Sequence, residues 1–202
     1  MNSEPAPADT PESPRQGPRL PPGQVLTEKW PVLHHGSVPK MDLARWDLRV
    51  DGLVADPVRW TWEEFRALPR VQVRSDIHCV TRWSRYDNLW EGVAAAEALR
   101  RAGIKPEARF AIVHAEQGFT TNLPLAALLE PGVLLADTHD GEPLTPEHGW
   151  PLRLVVPRRY FWKSAKWVRR IELVPADRPG FWEQNGYHND ADPWREERFS
   201  DW

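Results

Sequence analysis

Cysteine is almost absent from this chain: Cys79 is the only one in 202 residues. A single thiol excludes an internal disulfide framework and fits a reducing compartment. Charge of one sign is not in excess either. The 26 basic and 29 acidic residues leave a net of −3 with no basic run, which argues against a general nucleic-acid binder. No apolar stretch approaches membrane-spanning length, so no membrane partner is expected. The opening "MNSEPAPADTPESPRQGPRLPPG" has neither the apolar core of a signal peptide nor a twin-arginine pair, and a cytoplasmic location is the expectation. Gly-rich Walker or Rossmann loops are missing, which removes the common nucleotide sites.

What the chain does have is tryptophan, twelve in all. Large aromatics bury much surface each, so a sizeable core is within reach despite modest aliphatic content. Many stand beside charges, among them Trp30, Trp46, Trp60, Trp62, Trp162 and Trp167, which suits amphipathic packing or a lined pocket. Residues 1–24 are proline-rich with little to bury and read as a disordered tail before one domain, 25–202. "RWDLRVDGLV" alternates as a strand with Trp46, Leu48 and Val50 on one face, and "VQVRSDIHC" alternates up to Cys79. "TWEEFRALP" predicts a short helix capped by Thr61 with Glu64 closing a capping box. "GVAAAEALRRAG" predicts a helix ending at Gly103, and "PLAALLE" a shorter one. "RFAIVHA", "VLLADTH", "PLRLVVP" and "AKWVRRIELV" read as strands, with a turn at Asp140-Gly141. Many short strands, few short helices and no βαβ rhythm indicate an α+β fold of mixed sheets.

Two clusters carry chemistry. Cys79 lies in "DIHCVTRWS", where the sulfur is either a buried small hydrophobe, a nucleophile served by a histidine, or a metal ligand. Zinc needs about four ligands at workable spacing, and the scattered histidines do not supply it. The second cluster is "HGWPLRLVVPRRYFWKSAKW", where Arg153, Arg158, Arg159, Lys163 and Lys166 form either a solvated basic edge or an anion clamp. A soft donor in one place and a basic cradle in another suit a large anionic metal cofactor.

"DIHCVTRWS", "TTNLPL", "DGEPLTPEHGWPLRLVVP" and "KSAKWV", in this order, resemble the sulfite oxidase-type molybdopterin-binding domain, in particular its small prokaryotic sulfite oxidase-like oxidoreductases. The likeness covers roughly residues 28 to 200. It implies the α+β fold of that family, a molybdenum–molybdopterin cofactor and two-electron or oxygen-atom transfer on a small S- or N-containing substrate. By the same resemblance Cys79 ligates molybdenum, while His148, Arg153, Ser164, Ala165 and Lys166 hold pterin and phosphate. His34 and His35 correspond to the pterin-contacting loop and His114 to a further cofactor contact. Arg82 and Trp83, next to the cysteine, are expected to line the metal pocket, Arg82 positioning an oxyanion. Sulfite oxidases place a tyrosine after the "LLA" strand, where this chain has Asp137. An acidic group beside the metal would repel a dianion, so sulfite is not the expected substrate. The alternatives are a sulfoxide or N-oxide reductase fed by an electron-transfer partner, and a non-catalytic cofactor-binding protein. A monomer is the expected state.

Overall fold

The computed structural model describes residues 9–10 and 18–200. Its strands are β1 (Asp9–Thr10), β2 (Val25–Leu26), β3 (Asp47–Gly52), β4 (Val58–Thr61), β5 (Val71–His78), β6 (Trp83–Ala94), β7 (Phe110–Ala115), β8 (Thr120–Pro124), β9 (Leu134–His139), β10 (Glu142–Pro143), β11 (Arg153–Val155) and β12 (Val168–Val174). The α-helices are α1 (Trp62–Arg66), α2 (Ala95–Ala102), α3 (Leu125–Leu128) and α4 (Phe181–Gln184). Two mixed sheets result. One runs β1-β5-β6-β9-β10, with β11 also on β9 and β2 on β6; the other runs β4-β3-β12-β7-β8. Among the described residues no helix is long and apolar enough to cross a membrane.

Local chemistry explains most of these elements. In β3, Leu48 and Val50 are fully buried on one face, as alternation requires. Thr61 caps α1 through its hydroxyl, and Glu64 returns its carboxylate to the Thr61 N–H at 2.8 Å. Helix α2 sinks Ala95, Ala98, Leu99 and Ala102 into the larger core, which lies over β3, β7 and β12. A smaller core gathers Val73, Ile77, Trp90, Leu134 and Val155 around the first sheet.

The two longest of the strands not expected from the sequence are β6 and β8. β6 is the first sheet's long central strand, and its register shifts against β5 between Ser75 and Ile77 and against β9 between Glu91 and Gly92. Those bulges break the apolar alternation that would have announced it. At Gly92 a Cβ would stand 2.0 Å from the Leu135 carbonyl oxygen, so only glycine lets the strands meet. The second unexpected strand, β8, lies in a polar stretch between a turn and α3.

The part of the proline-rich segment that is described does not stand apart from the domain. Arg19 pairs with Asp76 at 2.9 Å and stacks over Tyr86 at 3.9 Å, and Gln24 is buried. The packed domain therefore extends to at least residue 18. Apart from Asp9–Thr10, residues 1–17 lie outside the described residues.

One carboxylate ties the second sheet together. Asp47, buried at the start of β3, receives Arg49 at 3.0 Å, Arg59 from β4, and Arg169 from β12 at 2.6 Å. Arg169 also reaches Glu116 at 2.5 Å, in the loop between β7 and β8. Burial works to raise the Asp47 pKa, but the hydrogen bonds from Arg169, Arg59 and Arg49 outweigh it and hold the carboxyl at about 2, against 3.8 ordinarily. A depressed folded-state pKa gives stability that is fully present above the ordinary value and is lost as pH falls through about 2. Asp47→Asn should therefore destabilise the protein at pH 7 by on the order of 1–3 kcal/mol in denaturant titrations. The gap to wild type should close between pH 4 and pH 2.

Candidate functional site

Strand β5 ends at His78, and the chain turns back into β6 within four residues. The Cys79 N–H donates to the Trp83 carbonyl at 2.9 Å and the Arg82 N–H to the Cys79 carbonyl at 3.0 Å, with Arg82 left-handed at φ 70°. This tight turn aims Cys79 into a cavity of about 360 Å³ at the junction of the two sheets. Burial pushes the Cys79 thiol up, opposed by a hydrogen bond between Sγ and the Thr81 hydroxyl at 3.1 Å. The sulfur's partner is thus a hydroxyl and not an imidazole, which removes the histidine-activated nucleophile.

The opposite wall is cationic. Arg153, at the start of β11, is 1% exposed and sits among three rings, 4.2 Å from Phe161, 5.4 Å from Trp30 and 5.6 Å from Trp90. It donates to the His148 carbonyl at 2.8 Å and to the Ser164 carbonyl at 3.0 Å, while its Nε has no partner among the described residues. Burial draws its pKa down to about 9, so it stays charged at neutral pH. Lys166 donates to the carbonyls of Leu33 (2.8 Å) and Glu147 (2.6 Å), and burial and then the charge of Arg153 bring it down to about 7. Gly149, at φ 113°, lets these two side chains approach: a Cβ there would be 3.1 Å from that of Arg153 and 3.2 Å from that of Lys166. Neither cation is in an ion pair with a carboxylate among the described residues.

The sequence-derived residues divide cleanly. Cys79, His34, His35, Arg153, Ser164, Ala165 and Lys166 all border the cavity, as does Trp83. His148 does not; it stacks on Trp30, a lining residue, with centroids 3.8 Å apart. Burial, then Arg153 and Lys166, depress its pKa to about 4, so the imidazole is neutral. His114 does not border the cavity; its Nε2–H donates to the Glu172 carboxylate at 3.0 Å across β7 and β12. Arg82 is exposed and outside the lining, because the turn that presents Cys79 rotates its neighbour away. Asp137 is also corrected. It is 2% exposed, held by Arg70 at 2.5 Å and Arg66 at 3.3 Å, and does not border the cavity, so its charge is neutralised at a distance from the thiol. Trp30 and Trp162, which the sequence reading offered for packing or a lined pocket, do line the cavity; what it missed is the further enclosure by Phe161, Phe181, Trp182 and Tyr187. The density of rings in "GFWEQNGYH" was its one local signal.

A thiol sharing an aromatic cavity with two cations that have no carboxylate partner among the described residues agrees with the similarity of the chain to known proteins. Residues 35–182 match the oxidoreductase molybdopterin binding domain. The chain belongs to this family. It is 53% identical over 186 residues to the uncharacterized oxidoreductase YuiH of Bacillus subtilis (strain 168), covering 92% of this chain and 94% of that one. It is 29% identical to YedZ1 of Azospira oryzae, provisionally named a protein-methionine-sulfoxide reductase subunit, over 83% of this chain and 64% of that protein. The fold matches the crystal structure of the sulfane dehydrogenase SoxCD from Paracoccus pantotrophus with a TM-score of 0.67, at 24% identity, over 76% of this chain and 43% of the other. This molybdopterin-binding oxidoreductase thus spans nearly the whole of YuiH but less than two thirds of YedZ1.

The placement of Asp137 is open to a direct check. Asp137→Asn leaves Arg70 with Glu91 as its carboxylate partner and takes Asp137 from Arg66, and should lower the melting temperature. Pterin content per folded chain should be unchanged, because the side chain does not reach the cavity.

Proposed function

We propose that this protein holds molybdenum–molybdopterin, with Cys79 as the protein ligand to the metal, and catalyses two-electron oxygen-atom transfer on a small S- or N-containing substrate. The observation that carries the reading is the pairing, in one cavity, of a single soft sulfur with the buried Arg153 and the half-buried Lys166, neither in an ion pair with a carboxylate among the described residues. The residues fit the group. Thiolate is a soft ligand suited to such a metal. The unpartnered Nε of Arg153 and the Lys166 ammonium, bonded to two carbonyls but to no carboxylate among the described residues, suit an anionic phosphate or pterin edge. The aromatic walls suit a flat heterocycle.

When bound, the cofactor supplies a metal that cycles between oxidation states two electrons apart. The chain's own residues bind, orient and exclude water. Arg153 and Lys166 fix the anionic end; an anion beside Lys166 also raises its pKa from about 7 and keeps it protonated. Ser164 spends its hydroxyl on the Val156 N–H at 2.9 Å, so its contribution is to shape the cradle and to offer its carbonyl to Arg153. Ala165 keeps the wall shallow. His148, neutral and stacked, props Trp30 against the cavity. His34 and His35 stand at the exposed rim, packed on Trp167 and Phe181, where an imidazole can hold or pass a proton. With Asp137 paired elsewhere, the electrostatic objection to an anionic substrate falls away. A second reading, a sulfoxide reductase supplied with electrons by a partner subunit, draws support from the likeness to YedZ1.

Protein made in a host that synthesises molybdopterin should carry molybdenum near one atom per chain and release a fluorescent pterin on oxidation. Zinc, or no metal and no pterin, overturns the proposal. Arg153→Met and Lys166→Ala should each weaken cofactor retention by about 1.5–3 kcal/mol, the worth of a charge-assisted hydrogen bond. Cys79→Ser should keep much of the pterin and lose the metal's absorption spectrum and dye-linked turnover. A wild-type spectrum in that variant would make Cys79 a packing residue.

A further inference from the structure

Cys79 can serve a metal only if its backbone turn is fixed, and the groups that fix it come from outside the family-matched stretch, residues 35–182. From before it, Gln24 is buried and donates its side-chain N–H to the Cys79 carbonyl at 3.0 Å. From after it, Arg198 is 5% exposed and donates through Nη1 to the Val80 carbonyl at 2.8 Å. Its Nη2 reaches the Pro22 carbonyl at 3.3 Å and its guanidinium covers the Tyr160 ring at 4.9 Å. The Val25 N–H, donating to the Arg82 carbonyl at 2.9 Å, closes the remaining side of the turn.

These contacts are costly for a purely structural arginine. Arg198 is buried with its Nε unpartnered, and Glu196 stands 3.6 Å away, too long for a hydrogen bond. A buried fork spanning Val80 and Pro22 fixes the Val80–Thr81 peptide, Gln24 fixes the Cys79–Val80 peptide before it, and together they set the direction of the Cys79 side chain. We propose that Arg198, seconded by Gln24, is a positioning residue: it clasps the Cys79 turn and holds the sulfur in the direction a metal needs. The inference rests on Cys79 as metal ligand.

Because Cys79 is the only cysteine, its alkylation reports on this turn alone. The test uses the full chain, made free of cofactor in a host that cannot synthesise molybdopterin, with iodoacetamide at fixed pH well below the melting temperature. Arg198→Lys keeps the charge but cannot span both carbonyls while covering Tyr160, and Gln24→Met removes the other clasp without touching charge. Each should speed alkylation about fivefold or more, the effect of one lost hydrogen bond. In protein loaded with cofactor, both variants should keep their pterin and shift the metal's absorption spectrum. Wild-type alkylation rates in folded variants, or unchanged spectra, would make the clasp a stabilising contact only. If the wild type carries no molybdenum, the ligand reading of Cys79 fails by itself, and the alkylation rates still decide whether the clasp holds the turn.

Discussion

A guanidinium with no carboxylate beside it, sealed among rings, is the constraint around which this protein is arranged. Burial of Arg153 disfavours its charge, and the surrounding structure offsets that cost with two carbonyl acceptors and three aromatic faces. Other features follow from it. His139 and His148 are both driven to a pKa of about 4, by burial first and then by neighbouring positive charge including Arg153, so the imidazoles around it are neutral and add no further repulsion. Glycine stands at 149 because two cationic side chains must pass it. The pairing of β11 with β9, Arg153 opposite Ala136, places the guanidinium at the end of the sheet nearest the cavity. Such a site is under-neutralised among the described residues, and the anionic cofactor proposed above would complete it.

The two halves of the molecule divide the work. The second sheet is rigidified by the carboxylate of Asp47, which binds three strands' worth of arginine and, through Arg169, steadies Glu116 on the cavity rim. The first sheet delivers Cys79 and Arg153 from the ends of β5 and β11. The buried Lys163, bonded to Asn122 at 2.9 Å and to Glu183 at 2.7 Å, then fastens α4, with its Phe181 and Trp182, over the cavity. The site is therefore a seam between sheets, closed by segments that belong to neither.

Local sequence announced what local physics decides. Alternation revealed β3 and β5, buried apolar runs β7 and β9, and β-branched residues before a proline tilted an ambiguous segment to strand at β12; a capping box revealed α1; a glycine at φ 71° marked the end of α2. β6 stayed hidden because its bulges offset the faces, and β8 because its residues are polar. In the site, motif order singled out Cys79, Arg153, Ser164, Ala165 and Lys166, all of which border the cavity. Adjacency misled at Arg82, since neighbours in a tight turn point apart, and strand-end position misled at His114, which answers to Glu172 on the adjoining strand. Asp137 looked like a replacement within the site, but the arginines that claim it lie 67 and 71 residues earlier, where no local pattern could show them. The aromatic lid and the Arg198 contacts are long-range in the same sense.

The clasp on the cysteine turn has a consequence for the order of events in the cell. Arg198 follows Val80 by 118 residues, and ribosomes add about 5–20 residues per second. For roughly ten seconds of synthesis, then, the thiol-bearing turn exists without the donor that reaches Val80. Sheet pairing can run ahead during that interval, but the finished geometry around the sulfur must await the last residues of the fold. If the clasp sets the sulfur, whatever loads the site would meet a chain whose scaffold is already built and whose sulfur turn is set late.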